Sequence, residues 1–467
     1  MSRAPIEYTA VSSLRGPLAV VSGVDGVGWD EVAEIRLPSG EHRHGTVIDV
    51  SRDLAVVQIY EGTAAIEPGN IRVAFQGSPM RIPVGEDWLG RVCNGRGEPL
   101  DGGPPVFGER MDDVSGRPIN PTARATPTQP ILTGLSAIDG LATLVRGQKL
   151  PIFSVGGLPH LEVAAQIAAQ ASAPDGEFVV IFAAVGITNA DAAMVRGRLE
   201  RRAAAGDLSL FLNTADDPIV ERILTPRVAL TVAEHLAFDL GRQVLVVIAD
   251  MTSYCEAVRE VSAARGETPS RRGYPGYLYS DLASIYERAG RIRDRAGSVT
   301  QLPVLTMPAG DITHPVPDLT GYITEGQLVL SLDQHVRGVY PPFEPLHSLS
   351  RLMRLGAGPG RTREDHLDVA AQLYALAAEA RRAADLGDLV GEEALTDADR
   401  AYLRFGSALQ TEFISQGPAE TRSLDETLER AWRVVSTLPR DRLVMLSEAL
   451  LDQHYVPTAD AASHSSR

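Results

Sequence analysis

The chain contains a single lysine, Lys149, among its 44 basic residues, so the other 43 are arginines. Proteins that bind ATP through a P-loop use the pattern G-x-x-x-x-G-K-[ST]. This pattern places a lysine at the start of a helix whose backbone N–H groups surround the phosphates. Lys149 is followed by Leu150, and no glycine loop leads into it. The chain therefore lacks the lysine that ATP hydrolysis by the usual P-loop route requires.

Asp250 is a second candidate for nucleotide chemistry, because it ends an apolar run at residues 244–249. Its position matches that of a Walker B aspartate, which helps to hold Mg²⁺ in an active P-loop enzyme together with a P-loop hydroxyl. Since the hydroxyl partner is missing, we interpret Asp250 as a structural residue that caps the next helix at Thr252 or Ser253. His314 has no Cys or His at ligand spacing, so we predict a packing or hydrogen-bonding role for it.

The composition argues against several classes of protein. The net charge of −16 disfavours a nucleic-acid surface, which needs clustered basic residues. Cys93 and Cys255 lie far apart without metal-ligand spacing, which favours a reducing, cytosolic setting. The sequence shows no run of 18 apolar residues and no signal-peptide pattern. We therefore expect a soluble protein with no metal site, no nucleic-acid partner and no direct membrane insertion, which could still belong to a membrane complex.

The elements that position these residues fall into three predicted domains. Residues 1–80 contain short β-type runs separated by turns, which predict a small closed β-barrel. Three of these runs lie at residues 18–21, 33–37 and 46–50, with a Pro-Ser-Gly turn between the last two. The next stretch, to about residue 130, is rich in Gly and Pro, and we interpret it as an ordered connection packed on the following domain.

Residues 81–360 as a whole predict a central α/β domain, because strands and helices alternate from residue 131 onward. Apolar runs at residues 178–184 and 244–249 are typical of strands buried on both faces of a parallel sheet, in a doubly wound fold. Residues 361–456 have helical periodicity and an N-terminal cap at Thr396, which predict a helical domain. We expect the tail at 457–467 to be disordered.

Motifs over almost the whole chain resemble the B subunit of the V-type and archaeal-type rotary ATPases. Residues 153–170 stand where a P-loop would lie, but residues 154–160 read SVGGLPH and end in the Gly-Leu-Pro-His of that family's degenerate loop. The other matching motifs are TG at 133–134, SAIDG at 136–140, LVRGQKLPIFS at 144–154, DDP at 216–218, ERILTPR at 221–227, RRGYPGY at 271–277, YERAGR at 286–291, DITHP at 311–315 and SLSRL at 348–352. Together these motifs are highly specific.

The resemblance implies that the P-loop does not function. Pro159 stands where catalytic subunits have their lysine, and His160 stands where the Mg²⁺-binding hydroxyl would be. Proline lacks an N–H and cannot neutralise a phosphate, so we interpret it as an ordinary residue of the first helical turn. The loop also departs from the Ser-Gly-Ser-Gly that is usual in the family, with Val155 and Gly156 inside it. We therefore predict that Gly156, Gly157, Pro159 and His160 bind no nucleotide.

A second loss affects the position that activates water. Catalytic subunits carry Gly-Glu after the next core strand, and the glutamate polarises the attacking water. Here Gly186 is followed by Ile187, whose side chain cannot orient water or accept a proton. Two losses at two positions predict that this chain does not catalyse hydrolysis by itself.

The resemblance assigns the chain's catalytic contribution to Arg351. Arg351 matches the family position that projects into the nucleotide site of the neighbouring A subunit, with Ser350 as a further candidate for nucleotide binding. A planar, permanently charged guanidinium can bind γ-phosphate oxygens in a bidentate manner. Arg288 and Arg291 also match family positions, but we expect them to pair with acidic neighbours such as Glu287 or Asp281.

The family further implies the assembly in which Arg351 acts. Three copies would alternate with three catalytic A subunits around central rotor subunits, with peripheral stalk subunits outside. The ring would bind ATP or ADP with Mg²⁺ at the A–B interfaces, mainly through the A subunit, and would couple nucleotide turnover to H⁺ or Na⁺ transport at the cytoplasmic face of the cell membrane. The helical domain, with the acidic stretch 385–393, would face the rotor or form an ordinary solvated surface.

Two alternatives differ in what the chain would do. An autonomous hexameric P-loop ATPase, of the secretion or RNA-translocating type, would need the missing lysine and a residue other than Ile187. A purely structural scaffold would not need Arg351. Neither alternative is excluded by composition, but the two losses at the nucleotide site disfavour the first of them.

Overall fold

The computed structural model of the chain describes residues 6–9, 11–116 and 118–457. The tail predicted to be disordered at 457–467 lies outside these residues, except for Pro457. The described residues form two compact units. The first contains the chain up to Asn120 together with Val179–Arg288, and the second contains Pro121–Phe178 and the chain from Ala289 onward. The domain boundaries at residues 80, 360 and 456 stay predictions.

The N-terminal region consists mainly of strands. They are β1 (Glu7–Tyr8), β2 (Val11–Arg15), β3 (Leu18–Ser22), β4 (Glu31–Arg36), β5 (His42–Ser51), β6 (Leu54–Ile59), β7 (Arg72–Pro79), β8 (Arg81–Val84), β9 (Val92–Asn94), β10 (Arg110–Asp113), β11 (Arg124–Ala125) and β12 (Pro130–Ile131).

Helices and strands alternate in the middle of the chain. They are α1 (Ser136–Leu141), β13 (Leu144–Val145), β14 (Ile152–Ser154), α2 (His160–Gln170), β15 (Phe178–Ile187), α3 (Asn189–Ala204), β16 (Leu208–Thr214), α4 (Ile219–Glu234), β17 (Gln243–Ala249), α5 (Met251–Ala264), α6 (Leu278–Tyr286), β18 (Gly290–Ile292), β19 (Ser298–Thr306), α7 (Pro315–Ile323), β20 (Gly326–Val329), α8 (Leu332–Val336), β21 (Leu349–Ser350) and α9 (Met353–Gly356). The remaining helices are α10 (His366–Val390), α11 (Asp397–Ala408), α12 (Leu424–Val435) and α13 (Glu448–His454).

The first seven strands form the predicted barrel domain. Their order in one antiparallel sheet is β1-β7-β4-β5-β6-β3-β2, so the first two strands lie at the ends of the ladder. Val47 of β5 lies opposite Val57 of β6, and both are fully buried in a shared apolar core. The predicted turn before β5 forms at Gly40, whose φ of 87° suits a residue without a Cβ atom.

A parallel sheet continues the first unit. β15 pairs in parallel with β16, β16 pairs in parallel with β9, and β17 lies next to β15. All seven residues of β17 are buried, as expected for a strand with helices on both sides. The run at 178–184 therefore lies in a strand with a parallel partner, the run at 244–249 forms the buried strand beside it, and the predicted α/β class is confirmed.

The second unit has its own set of paired strands. β14 lies between β19 and β20 and is parallel to both. β21 pairs with β20 in antiparallel orientation, and β18 does the same with β19 and β11. These pairings fix the start of two segments, because residues 155–160 follow β14 directly and Arg351 follows β21.

Helices α10 to α13 form the predicted C-terminal helical domain. Thr396 accepts a hydrogen bond from Asp399 N–H, and Asp399 accepts one from Thr396 N–H, so the predicted cap of α11 is confirmed as a capping box. Helix α12 buries Leu428, Trp432 and Val435, which lie on one face at helical spacing. None of the helices in the described part of the chain is long and apolar enough to cross a membrane.

Candidate functional site

The loop after β14 has the backbone of a strand-to-helix turn without phosphate-binding side chains. Gly157 has a φ of 89°, and no atom lies within 4 Å of the Cβ that a larger residue would place there. Pro159 is the N-cap residue of α2, one position before the first turn predicted for it, and its carbonyl accepts a hydrogen bond from Val163 N–H at 3.0 Å. The helix start thus lacks both an ammonium group and a side-chain cap.

His160 begins α2 at the position of the missing hydroxyl. The imidazole is half-buried, and its Nδ1 atom has no hydrogen-bond partner among the described residues. Mg²⁺ prefers hard oxygen ligands, so His160 is a poor replacement for serine or threonine. The residues of this loop therefore do not fit an ATP–magnesium complex.

Ile187 and Asp250, which stand at the positions of the water-polarising glutamate and the Walker B aspartate, lie in the first unit. Ile187 ends β15 and is buried, so the position that would polarise water carries an apolar side chain. Asp250 is the N-cap residue of α5, and its Oδ1 accepts a hydrogen bond from Thr252 N–H at 2.7 Å. The predicted capping role of Asp250 is confirmed.

Arg351 lies directly after β21 with an exposed side chain. Its backbone N–H donates to the carbonyl oxygen of Glu325 at 3.0 Å. Its Nη1 lies 3.4 Å from the carbonyl oxygen of Thr324, which is longer than a strong N–H···O bond. No acidic side chain in the described part of the chain forms an ion pair with Arg351. Its backbone is thus fixed, while most of its guanidinium donors remain available.

A buried polar network supports the strand that carries Arg351. Gln148 is fully buried, and its Nε2 donates to the Glu325 carbonyl at 3.0 Å and to Ser350 Oγ at 2.9 Å. The carboxylate of Glu325 accepts Lys149 N–H at 2.8 Å and pairs with Lys149 Nζ at 2.9 Å. The hydroxyl of Ser350 therefore takes part in this network, and its predicted contact with nucleotide stays a prediction.

Gly326 allows the two strands of this network to approach closely. Its φ is 132°, and an added Cβ atom would lie 2.2 Å from the carbonyl oxygen of Leu349. Contacts of this kind under 3.0 Å essentially never occur for real Cβ atoms. Only glycine therefore lets β21 pair with β20 at this register.

The arginines of the YERAGR motif have structural roles that differ from the predicted pairing. Arg288 is 1% exposed, and its Nε and Nη2 each lie 2.7 Å from the carboxylate oxygens of Glu234. The prediction of Glu287 or Asp281 as its partner was wrong, because α6 ends at Tyr286 and helical spacing no longer applies to Arg288. Asp281 binds another arginine and a tyrosine hydroxyl instead.

Arg291 and His314 contribute packing and local hydrogen bonds. Arg291 lies in β18, and its Nη1 is 3.4 Å from Thr128 Oγ1. The side chain of His314 caps α7 by accepting from Val316 N–H, so its predicted hydrogen-bonding role is confirmed. No cluster of metal-ligating side chains occurs within the described ranges.

Glu221, the first residue of the ERILTPR motif, is a buried carboxyl group. Its Oε1 accepts Gly95 N–H at 3.0 Å, and its Oε2 lies 3.4 Å from Nε of Arg96. Burial raises the pKa of Glu221 to about 7, although the Arg96 guanidinium opposes this shift. The group holds the loop at Gly95 against α4 within the first unit.

Sequence reasoning missed the supporting residues of Arg351. Gln148, Lys149 and Glu325 come together only in the fold, because Lys149 and Glu325 are 176 residues apart. The sequence held one usable signal, since Lys149 is the only lysine in the chain. That signal indicated a special environment at residue 149 but not its partner.

Comparisons with known proteins agree with this architecture. Residues 11–75 match the family model "ATP synthase alpha/beta family, beta-barrel domain", residues 134–350 match the nucleotide-binding domain of the same family, and residues 355–455 match the "C-terminal domain of V and A type ATP synthase". The B subunit of the A-type ATP synthase of Aeropyrum pernix is 53% identical over 451 residues, which cover 96% of this chain and 97% of that protein.

A solved structure gives the same result. The ATP synthase subunit NeqB from Nanoarcheaum equitans is 39% identical, with a TM-score of 0.71, and the match covers 90% of this chain and 98% of that chain. The chain belongs to the ATP synthase alpha/beta family, among the B subunits of the V/A-type enzymes.

Proposed function

We propose that this chain is the non-catalytic B subunit of an ion-translocating V/A-type ATP synthase and that it supplies Arg351 in trans to the catalytic site of a neighbouring A subunit. The observation that carries the proposal is the state of Arg351. Its side chain is exposed and has no ion pair among the described residues, yet its backbone N–H is hydrogen-bonded to Glu325, at the end of the pairing between β20 and β21. An arginine presented in this way suits a ligand from outside the chain.

The nucleotide positions within the chain support a non-catalytic role. Pro159 and His160 replace the lysine and the hydroxyl of a working P-loop, and Ile187 replaces the glutamate that would polarise water. Each loss removes a separate requirement of phosphoryl transfer: charge neutralisation, magnesium binding and activation of the nucleophile. An autonomous ATPase of the secretion or RNA-translocating type would need all three.

The substrate in this proposal is ATP or ADP with Mg²⁺, bound mainly by the A subunit at the A–B interface. The guanidinium of Arg351 would contact the γ-phosphate as negative charge develops on its oxygens, where a planar donor pair is most effective. Three copies would alternate with three A subunits around the central rotor, with peripheral stalk subunits outside the ring. The ring would drive, or be driven by, H⁺ or Na⁺ transport at the cytoplasmic face of the cell membrane.

Steady-state ATP hydrolysis by a reconstituted A–B ring tests the role of Arg351. We expect Arg351→Ala to lower the rate by roughly 10³ to 10⁵, the range for an arginine finger. Arg351→Lys should restore little, because an ammonium group cannot form the bidentate contact. Arg354→Ala is the matched control, since Arg354 is an exposed arginine one turn further along the chain, and it should leave the rate unchanged.

Assembly must be checked for each variant by the size of the ring. An assembled Arg351→Ala ring that hydrolyses ATP at the wild-type rate would favour the scaffold alternative. Equal losses in the Arg351→Ala and Arg354→Ala rings would also contradict the proposal, because the loss would then not be specific to Arg351.

A further inference from the structure

The position of the only lysine in the chain has a physical explanation beyond the degenerate P-loop. Every other basic residue is arginine, so arginine is tolerated at 43 positions and a lysine is found at one. The Lys149 side chain is only 5% exposed, and its Nζ lies 2.9 Å from Oε1 of Glu325. A compact ammonium group is therefore buried, whereas the side chain of its partner Glu325 is 30% exposed.

Arginine does not fit the same site. One carboxylate oxygen of Glu325 already accepts the backbone N–H of Lys149 at 2.8 Å, which leaves Oε1 for the side chain. A guanidinium brings five N–H donors in a rigid plane, whereas an ammonium is a point charge. The guanidinium is also larger than an ammonium group, so an arginine at this buried position would displace the Glu325 carboxylate.

Glu325 connects this ion pair to Arg351. Its carbonyl oxygen accepts the backbone N–H of Arg351 at 3.0 Å. The carbonyl of the preceding residue, Thr324, lies 3.4 Å from Nη1 of Arg351. The backbone of Arg351 is thus hydrogen-bonded to Glu325, whose carbonyl oxygen also accepts from Gln148 and whose carboxylate pairs with Lys149.

We propose that Lys149 is a positioning residue for Arg351, because its ion pair with Glu325 helps to fix the residue whose carbonyl oxygen accepts the backbone N–H of Arg351. The inference depends on the proposed function, since it concerns an arginine that acts on a neighbouring subunit's substrate. Misplacement of a catalytic group by about 1 Å can lower a rate by about 10², so a displaced segment has a measurable consequence.

A double-mutant cycle on the reconstituted A–B ring tests the inference. We expect Lys149→Arg, which keeps the charge, to lower kcat by roughly 10- to 100-fold with the KM for ATP changed by less than about threefold. In an Arg351→Ala ring, the same change should lower kcat by less than about twofold, because the residue to be positioned is already gone. Arg354→Lys is the control for exchanging arginine and lysine at an exposed position, and it should leave kcat unchanged.

The possible outcomes separate the two proposals. If Arg351→Ala leaves kcat unchanged, the proposed function is wrong. If Arg351→Ala lowers kcat but Lys149→Arg keeps the wild-type kcat, or lowers it equally in both backgrounds, the positioning role is wrong and the proposed function stands. If the Lys149→Arg ring does not assemble, Glu325→Gln replaces it, since glutamine still accepts the Lys149 N–H. A wild-type kcat in that variant also overturns the inference.

Discussion

Gly326→Ala should disturb Arg351 without touching any group that contacts substrate. Gly326 is the partner of Ser350 in the pairing of β20 with β21, and its φ of 132° lies in a region that favours glycine. An alanine Cβ atom would lie 2.2 Å from the carbonyl oxygen of Leu349, where real contacts are at least 3.0 Å. The two strands must therefore separate by about 0.8 Å, or the backbone at residue 326 must rotate.

This geometry sets the expected loss of stability and the expected fall in kcat. A non-glycine residue in such a backbone region costs about 1–3 kcal/mol, and the clash with the carbonyl adds to it, so we expect a loss of about 2–4 kcal/mol in the free energy of unfolding. A shift of β21 by nearly 1 Å also moves Arg351, which directly follows it. Because misplacing a catalytic group by about 1 Å can lower a rate by about 10², kcat of the A–B ring should fall by roughly 10- to 100-fold.

Two assays check this prediction: denaturant unfolding of the isolated chain and steady-state hydrolysis by the reconstituted ring. Gly321→Ala is the matched control, because Gly321 lies inside α7 and nothing lies within 4 Å of an added Cβ there. The control should be neutral or stabilising by up to about 1 kcal/mol. Wild-type stability and kcat for Gly326→Ala would show that the close approach of the strands does not constrain Arg351.

Two further predictions concern the chain by itself. The isolated chain should show no ATPase activity and only weak ATP binding by calorimetry, because Pro159 and Ile187 replace the required groups; stoichiometric turnover or tight binding by the partner-free protein would contradict this. Glu221 should make stability depend on pH, because burial raises its folded pKa from 4.5 to about 7. Between these two values the unfolded state releases the proton first, so the carboxyl group's contribution is complete below pH 4.5 and is lost as the pH rises to about 7. Glu221→Gln removes this loss, so the stability of the variant relative to the wild type should rise by up to about 3 kcal/mol over that range, and a constant difference in urea unfolding would refute it.

The fold could be predicted from the sequence where one local signal dominates. The apolar run at 244–249 is too continuous for an amphipathic element and forms a fully buried strand. Thr396 and Asp399 have the spacing of a capping box, and the four residues from 396 to 399 suffice to form it. The buried strand and the capping box depend only on residues that are close in the chain, so the sequence is enough to predict them.

The support for the candidate site could not be predicted, because it depends on residues far apart in the chain. Arg288 pairs with Glu234, 54 residues away, and Lys149 pairs with Glu325, 176 residues away. Helical spacing suggested nearer partners for Arg288, but the helix ends before it. In both cases the packing of strands and helices decides which residues pair. Local sequence patterns do not show which elements pack together.

Binding of ADP with aluminium fluoride to the A–B ring tests the central claim most directly, because this complex mimics the phosphoryl group in the transition state. An arginine that acts on developing charge should stabilise the mimic far more than the ground state. We expect the Arg351→Ala ring to bind ADP with nearly wild-type affinity but to bind the ADP–aluminium fluoride complex roughly 10³-fold more weakly or worse. Equal affinity of the wild-type and Arg351→Ala rings for the mimic would contradict the claim that Arg351 acts in catalysis.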